Sequence, residues 1–178
     1  MKKNIEYLYT IKNKTQIYIK IVNCGLDESE SNLFYQTFEN YTDEIYIENV
    51  VDLWNGTSKD FIEKHSVLQD IYGRELNHAK VCPKIFYSMT ICDNGDVVLC
   101  GADWTSQYKL GNVTSKSLFE IWNGSELRDI QLKHLQFKKD EINICRNCSV
   151  LKVCIPDNVD NNADKIIQRF HSNIEGNF

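Results

Sequence analysis

Apolar and polar residues alternate along residues 15–22 (TQIYIKIV), which places Ile17, Ile19 and Ile21 on one side of an extended chain. The pattern predicts a strand with a buried face. Residues 27–40 (DESESNLFYQTFEN) open with acidic side chains that suit the positive end of a helix. Leu33, Phe34 and Phe38 then recur at helical spacing. Residues 44–47 (EIYI) predict a second short strand, and residues 4–12 the tail of an earlier helix. Strand, helix and strand in close succession make a βαβ unit, which implies a parallel sheet. One such unit leaves both sheet edges unpaired and one face uncovered. The expectation is the back end of a larger α/β protein.

The pattern weakens over residues 54–78. WNGTSKD at 54–60 predicts a turn, and Phe61, His65, Leu68 and Ile71 predict a helix that bridges two domains. Residues 85–100 then carry two β-rich runs around Asn94-Gly95. That pair is the strongest signal of a two-residue hairpin turn, in which both positions need positive φ. LGN at 110–112 predicts another turn. Ser117 and Glu120 form a capping box for a short helix through Leu118, Ile121 and Trp122, ended by Gly124. Ser125 can cap a second helix carrying Leu127, Ile130 and Leu135. The stretch after Pro156 is rich in Asn and Asp, with an apolar knot at Ile166 and Ile167.

Composition narrows the field. Hydrophobic residues make up 42% of 178, enough for a real core and against a disordered chain. A net charge of −5 with no basic run argues against nucleic acid as a partner. No apolar run approaches the roughly 18 residues of a membrane span. Lys12 and Lys14 interrupt any export signal, so a cytoplasmic protein is expected. The seven cysteines are odd in number and have no export signal beside them, so a disulfide framework is not expected. Clustered thiols in a reducing compartment bind metal or do chemistry.

Three of the seven lie in residues 144–154, ICRNCSVLKVC. A Cys-x-x-Cys turn lets Cys145 and Cys148 converge on one centre. A hairpin folds its two ends together, which brings Cys82, just before it, to Cys100 at its close. Four thiolates fit tetrahedral zinc or an iron–sulfur cluster. The wide mouth of the hairpin favours the larger body, but spacing alone leaves both open. Cys92 is expected to be a buried free thiol. Cys24 is expected to be a packed thiol, the alternative being that it faces a cofactor pocket. Trp104, next to Cys100, is expected to shield the metal. His65, His78, His134 and His171 show no paired spacing and read as surface or core histidines. Glu28 and Glu30 read as helix N-terminal charges.

The segments VCPKIFYSMTICDNGDVVLCGADW, KLGNVTSKSLFEIWNGSELRDIQLKHL and CRNC together resemble a SPASM or Twitch domain, the C-terminal extension of many radical S-adenosylmethionine enzymes. In that family a cysteine precedes a glycine, and a second cysteine follows that glycine after four residues. Cys82, Gly95 and Cys100 keep this order, with twelve and four residues between. The family continues with a Cys-x-x-Cys and two further cysteines; Cys145, Cys148 and Cys154 match, and Asn158 stands where the last is expected. The long form holds two auxiliary 4Fe–4S clusters on about eight ligands, more than this chain supplies. The resemblance therefore implies one 4Fe–4S cluster on Cys82, Cys100, Cys145 and Cys148, with Cys154 a relic, a spare ligand or a packed thiol.

The fold implied is α+β. Residues 1–55 would be the terminal βαβ portion of a radical S-adenosylmethionine partial (β/α) barrel, and 56–80 a bridging helix or linker. Residues 81–155 would be the SPASM/Twitch domain, a β-hairpin and short helices around the cluster, and 156–178 a C-terminal tail. The family's Cys-x-x-x-Cys-x-x-Cys, which holds the cluster that cleaves S-adenosylmethionine, matches no three of the seven cysteines. The chain is thus expected to be a fragment or truncated form of such an enzyme, inactive alone and without catalytic residues of its own. It would work with the missing N-terminal portion or a separate partner chain, and with a redox partner such as ferredoxin or flavodoxin. In the complete enzyme the first cluster passes an electron to S-adenosylmethionine, and the auxiliary cluster serves electron transfer or substrate anchoring. The alternative is a stand-alone, non-catalytic iron–sulfur or structural zinc module acting with a partner chain.

Overall fold

A computed structural model describes residues 1–53 and 59–175, with side chains through residue 170. It divides into two compact units, Met1–Leu76 and Asn77–Phe178. No helix among the described residues is long and apolar enough to cross a membrane.

In the first unit, helix α1 (Lys2–Ile11) precedes strand β1 (Tyr18–Asn23), helix α2 (Glu28–Phe38) and strand β2 (Glu44–Asn49). The two strands pair in parallel, Tyr18 opposite Glu44 through Asn23 opposite Asn49, as the βαβ pattern requires. Asp27 caps α2 in a full capping box with Glu30, so the acidic opening of that helix satisfies its first amides. The Asp43 carboxylate accepts from the Ile17 amide at 2.7 Å and pairs with Lys12. That contact ties the entry of β1 to the entry of β2. The predicted helix over 61–71 is shorter: helix α3 (Lys59–His65) stops at His65, and Leu68 is 92% exposed. Asp70 breaks the helical path. Its carboxylate accepts from the Tyr72 and Arg74 amides and from Arg74 Nε, which curls the chain into a loop. Residues 54–58 of the expected WNGTSKD turn lie outside the described residues.

The second unit is built on an antiparallel sheet of order β3-β4-β5 (Thr90–Ile91, Asp96–Val98, Lys109–Asn112). The hairpin is real, but its turn differs from the two-residue type. Only Gly95 has positive φ, at 82°. The Cys92 amide donates to the Asp96 carbonyl at 2.8 Å, and the Gly95 amide to the Cys92 carbonyl at 3.0 Å. Asp93, Asn94 and Gly95 therefore form a three-residue loop closed by a left-handed glycine. Asn94 uses its side chain on Asp96, as acceptor from the amide and donor to the carboxylate, and has no need of positive φ. The first strand is also short. Pro83 opens a 3-10 turn through Phe86, because its missing N–H and fixed φ suit a helical first position.

LGN at 110–112 is strand, not turn. Asn112 faces Asp96 across the ladder, and its side-chain amide donates to the Asn94 carbonyl and the Asp96 carboxylate. Gly111 is needed there for space: a Cβ would sit 2.9 Å from Ile121 Cγ1. The strand is thus pressed against helix α4 (Leu118–Trp122), which Ser117 and Glu120 cap as predicted. Gly124 does not end α4 in a left-handed cap. It is extended, at φ −68° and ψ 156°, and opens helix α5 (Ser125–Leu135).

Helices α6 (Asn143–Arg146), α7 (Val150–Cys154) and α8 (Ala163–Glu175) complete the unit. Val97, Leu99, Leu110, Ile121, Leu127, Ile130, Ile85 and Ile142 form one core. Val81, Leu135 and Ala163 form a second, against Ile166, Ile167 and Phe170. The apolar knot of the Asn-rich stretch is thereby the inner face of α8.

Candidate metal centre

Cys82 is positioned from three directions. Upstream, the Asn77 amide donates to the Lys152 carbonyl at 2.9 Å, and its side chain to the carbonyls of Ile155 and Asp157 at 2.6 and 2.9 Å. Opposite, the Asp160 carboxylate accepts from the amides of Lys80 and Val81. These contacts lay residues 77–82 along residues 152–160. From the core, the Cys82 amide donates to His134 Nδ1 at 3.3 Å. Just downstream, Gln131 Nε2 donates to the Ile85 carbonyl at 2.9 Å, which holds the 3-10 turn.

Cys100 follows the buried end of β4, where Leu99 is 1% exposed. The chain then curls around Asp103, a buried carboxylate that accepts from the amides of Gln107 and Tyr108 at 2.8 and 2.7 Å. Cys145 sits in α6 behind the buried Ile142, and the Cys148 amide returns to the Cys145 carbonyl at 3.3 Å. Lys139 Nζ donates to that same carbonyl at 3.3 Å.

Three separate segments thus deliver four half-buried thiols, and no disulfide joins any of the seven cysteines. Each pair among Cys82, Cys100, Cys145 and Cys148 lies within electrostatic reach. Burial pushes the Cys145 thiol up to about 12, and Cys100, Cys148 and Cys82 add to the rise against Lys139. Burial likewise pushes Cys82 up to about 11, with the Lys84 N–H working against it and Cys100 and Cys148 with it. Cys100 is raised by burial and by Cys148, while N–H groups of Ala102 and Asp103 and the Lys84 ammonium favour its thiolate.

Ionising all four without a counter-charge is costly, since a buried anion beside other anions has no compensation. The surroundings nevertheless provide backbone N–H donors at two sulfurs and ammonium groups of Lys84 and Lys139 nearby. A cationic inorganic body that displaces the thiol protons fits this donor set, since metal binding releases them. Among the described residues no three His, Cys, Asp or Glu side chains gather as closely as one ion requires. Four sulfurs on a single zinc would lie only about 3.8 Å apart.

Cys24 is exposed just after the end of β1 and is not packed. Cys92 is half-buried at the start of the hairpin loop, where its sulfur meets Ser106 Oγ at 3.5 Å. Cys154 is half-buried at the end of α7. Trp104 is 64% exposed, just after the curl around Asp103 begins. His65 packs on Phe61 at 4.9 Å, and the side chain of His171 lies outside those described.

His134 is the residue that spacing did not single out. It is 1% exposed, and burial, then the Lys139 ammonium, pushes its pKa down to about 4. The signal for it was helical phase: His134 follows Leu127 and Ile130 on the buried face of α5. Asn77, Lys84, Lys139 and Asp160 carried no signal, because their roles depend on contacts distant in sequence.

Residues 82–149 match the family model of SPASM, an iron–sulfur cluster-binding domain. The match begins on Cys82, ends one residue past Cys148 and leaves Cys154 outside. No curated protein and no solved structure matches the chain.

Proposed function

We propose that the SPASM iron–sulfur cluster-binding domain of this chain holds one 4Fe–4S cluster on Cys82, Cys100, Cys145 and Cys148. The observation that carries this is the gathering of four half-buried thiols from three segments, each within electrostatic reach of the others, inside the residues that match an iron–sulfur cluster-binding domain. The match of residues 82–149 to an iron–sulfur cluster-binding domain supports a cluster over zinc. When bound, such a cluster supplies one-electron chemistry. The protein's part is to exclude water and to set the charge around the sulfurs. Half-burial of all four thiols raises the cost of added negative charge, while N–H donors at Cys82 and Cys100 and the ammonium groups of Lys84 and Lys139 lower it.

The wider role we propose is that of an auxiliary electron-transfer or substrate-anchoring module beside a radical S-adenosylmethionine core. The parallel βαβ unit of residues 18–49 supports that setting as a piece of partial barrel. The core's own cluster motif would come from elsewhere, since the seven cysteines lack its spacing. A stand-alone iron–sulfur module serving a separate partner chain uses the same four ligands.

Single alanine substitutions test the ligand set. After anaerobic loading with iron and sulfide, C82A, C100A, C145A and C148A each lose the visible cluster absorption, and C154A keeps most of it. Loss in C154A equal to the others, or full loading in any of the four, contradicts the assignment.

A further inference from the structure

Among the described residues, one buried side-chain polar atom has no hydrogen-bond partner: His134 Nε2. An orphaned buried donor or acceptor is destabilising, so its retention calls for a reason. The other ring nitrogen supplies one. Nδ1 accepts from the Cys82 amide, so the imidazole is neutral with its proton on Nε2. The ring cannot turn to satisfy Nε2 without releasing Cys82. It also stands close to the Lys139 ammonium, whose hydrogen bond is to the Cys145 carbonyl. His134 is therefore in contact with one ligand segment and adjacent to the clamp on another, from a helix neither segment belongs to.

We propose that His134 is a positioning residue for the Cys82 ligand: its Nδ1 anchors the Cys82 main chain from the core, and so aims the Lys84 N–H at the Cys82 sulfur. The inference rests on the ligand set proposed above. The Cys82-Pro83-Lys84 turn has a rigid proline at its centre, so the anchor at the Cys82 amide fixes the direction of the Lys84 amide two residues on. Hydrogen bonds to ligand sulfurs stabilise the more negative, reduced state of a cluster and raise its potential. Losing the anchor weakens that bond and lowers the potential.

Three variants of the full chain, loaded anaerobically, test this by redox titration followed by electron paramagnetic resonance. In His134→Asn the amide oxygen takes the place of Nδ1, and the potential stays at the wild-type value. In His134→Gln the polar group reaches the place of Nε2 and the Cys82 amide loses its acceptor; the potential falls. His134→Leu falls likewise, and if it fails to fold the Asn and Gln pair decides alone. Equal potentials in all loaded variants, with only thermal stability reduced, make His134 an ordinary core residue and overturn the inference. A rise in His134→Gln overturns it too. Wild-type chain that takes up no iron defeats the cluster assignment and this inference together, an outcome distinct from loaded variants with unchanged potential.

Discussion

Single side chains carry the geometry of the candidate centre. Asp160 holds the amides of Lys80 and Val81, two residues and one residue before Cys82. Hydrogen bonds to a charged acceptor contribute about 1.5–3 kcal/mol. Replacing Asp160 with alanine frees that segment, and the loaded chain is expected to release iron to a chelator several-fold faster, as stopped-flow absorbance would show. A release rate equal to wild type would mean that Cys82 is held by His134 and Asn77 alone. Asp96 does the corresponding work in the hairpin. The Lys109 ammonium, then the side chains of Asn112 and Asn94, hold its carboxyl below the usual carboxylate range. A carboxylate with a depressed folded pKa contributes stability above its unfolded value of about 3.9, and loses it as pH falls through the folded value. The metal-free chain should therefore lose thermal stability in acid below about pH 4, and Asp96→Asn should show a shallower loss in the same window. Parallel acid profiles for the two would remove Asp96 from the account.

Elements meet through a few close approaches, and these divide what the sequence shows from what it hides. Strand β5 packs so near helix α4 that Gly111 has no room for a Cβ. Gly111→Ala should cost about 1–3 kcal/mol in chemical denaturation, the range for overpacking a core; a neutral result would mean that Ile121 can step aside. The capping box at Ser117, the acidic helix opening at Asp27 and the apolar face of α5 were legible because each depends on residues a few positions apart, and the parallel pairing of β1 and β2 because strand, helix and strand follow in close succession. The strand at 109–112 was not. Gly111 and Asn112 look like turn residues until the partner strand supplies the reason for each. The hairpin was visible and its turn type was not, since Asn94 could satisfy the left-handed demand or avoid it through Asp96. The direction of Trp104 was hidden for a similar reason: adjacency to Cys100 says nothing about direction once Asp103 curls the chain. The four thiols were recognisable from their spacing, whereas the residues that aim them lie far off in sequence.

At the scale of the whole molecule, the second unit has its own core and its own candidate centre, and the segment 152–160 belongs to that centre's frame through Asn77 and Asp160. The first unit offers a parallel strand pair joined through α2 and no group of thiols, with Cys24 its one cysteine. The chemistry expected of the chain therefore concentrates in residues 77–178, where six of the seven cysteines lie. Elemental and acid-labile sulfide analysis of the full chain, purified and loaded without oxygen, bears on this most directly. About four irons and four sulfides per chain are expected, with a broad visible absorption that bleaches on reduction. One zinc per chain with no labile sulfide would contradict the cluster assignment.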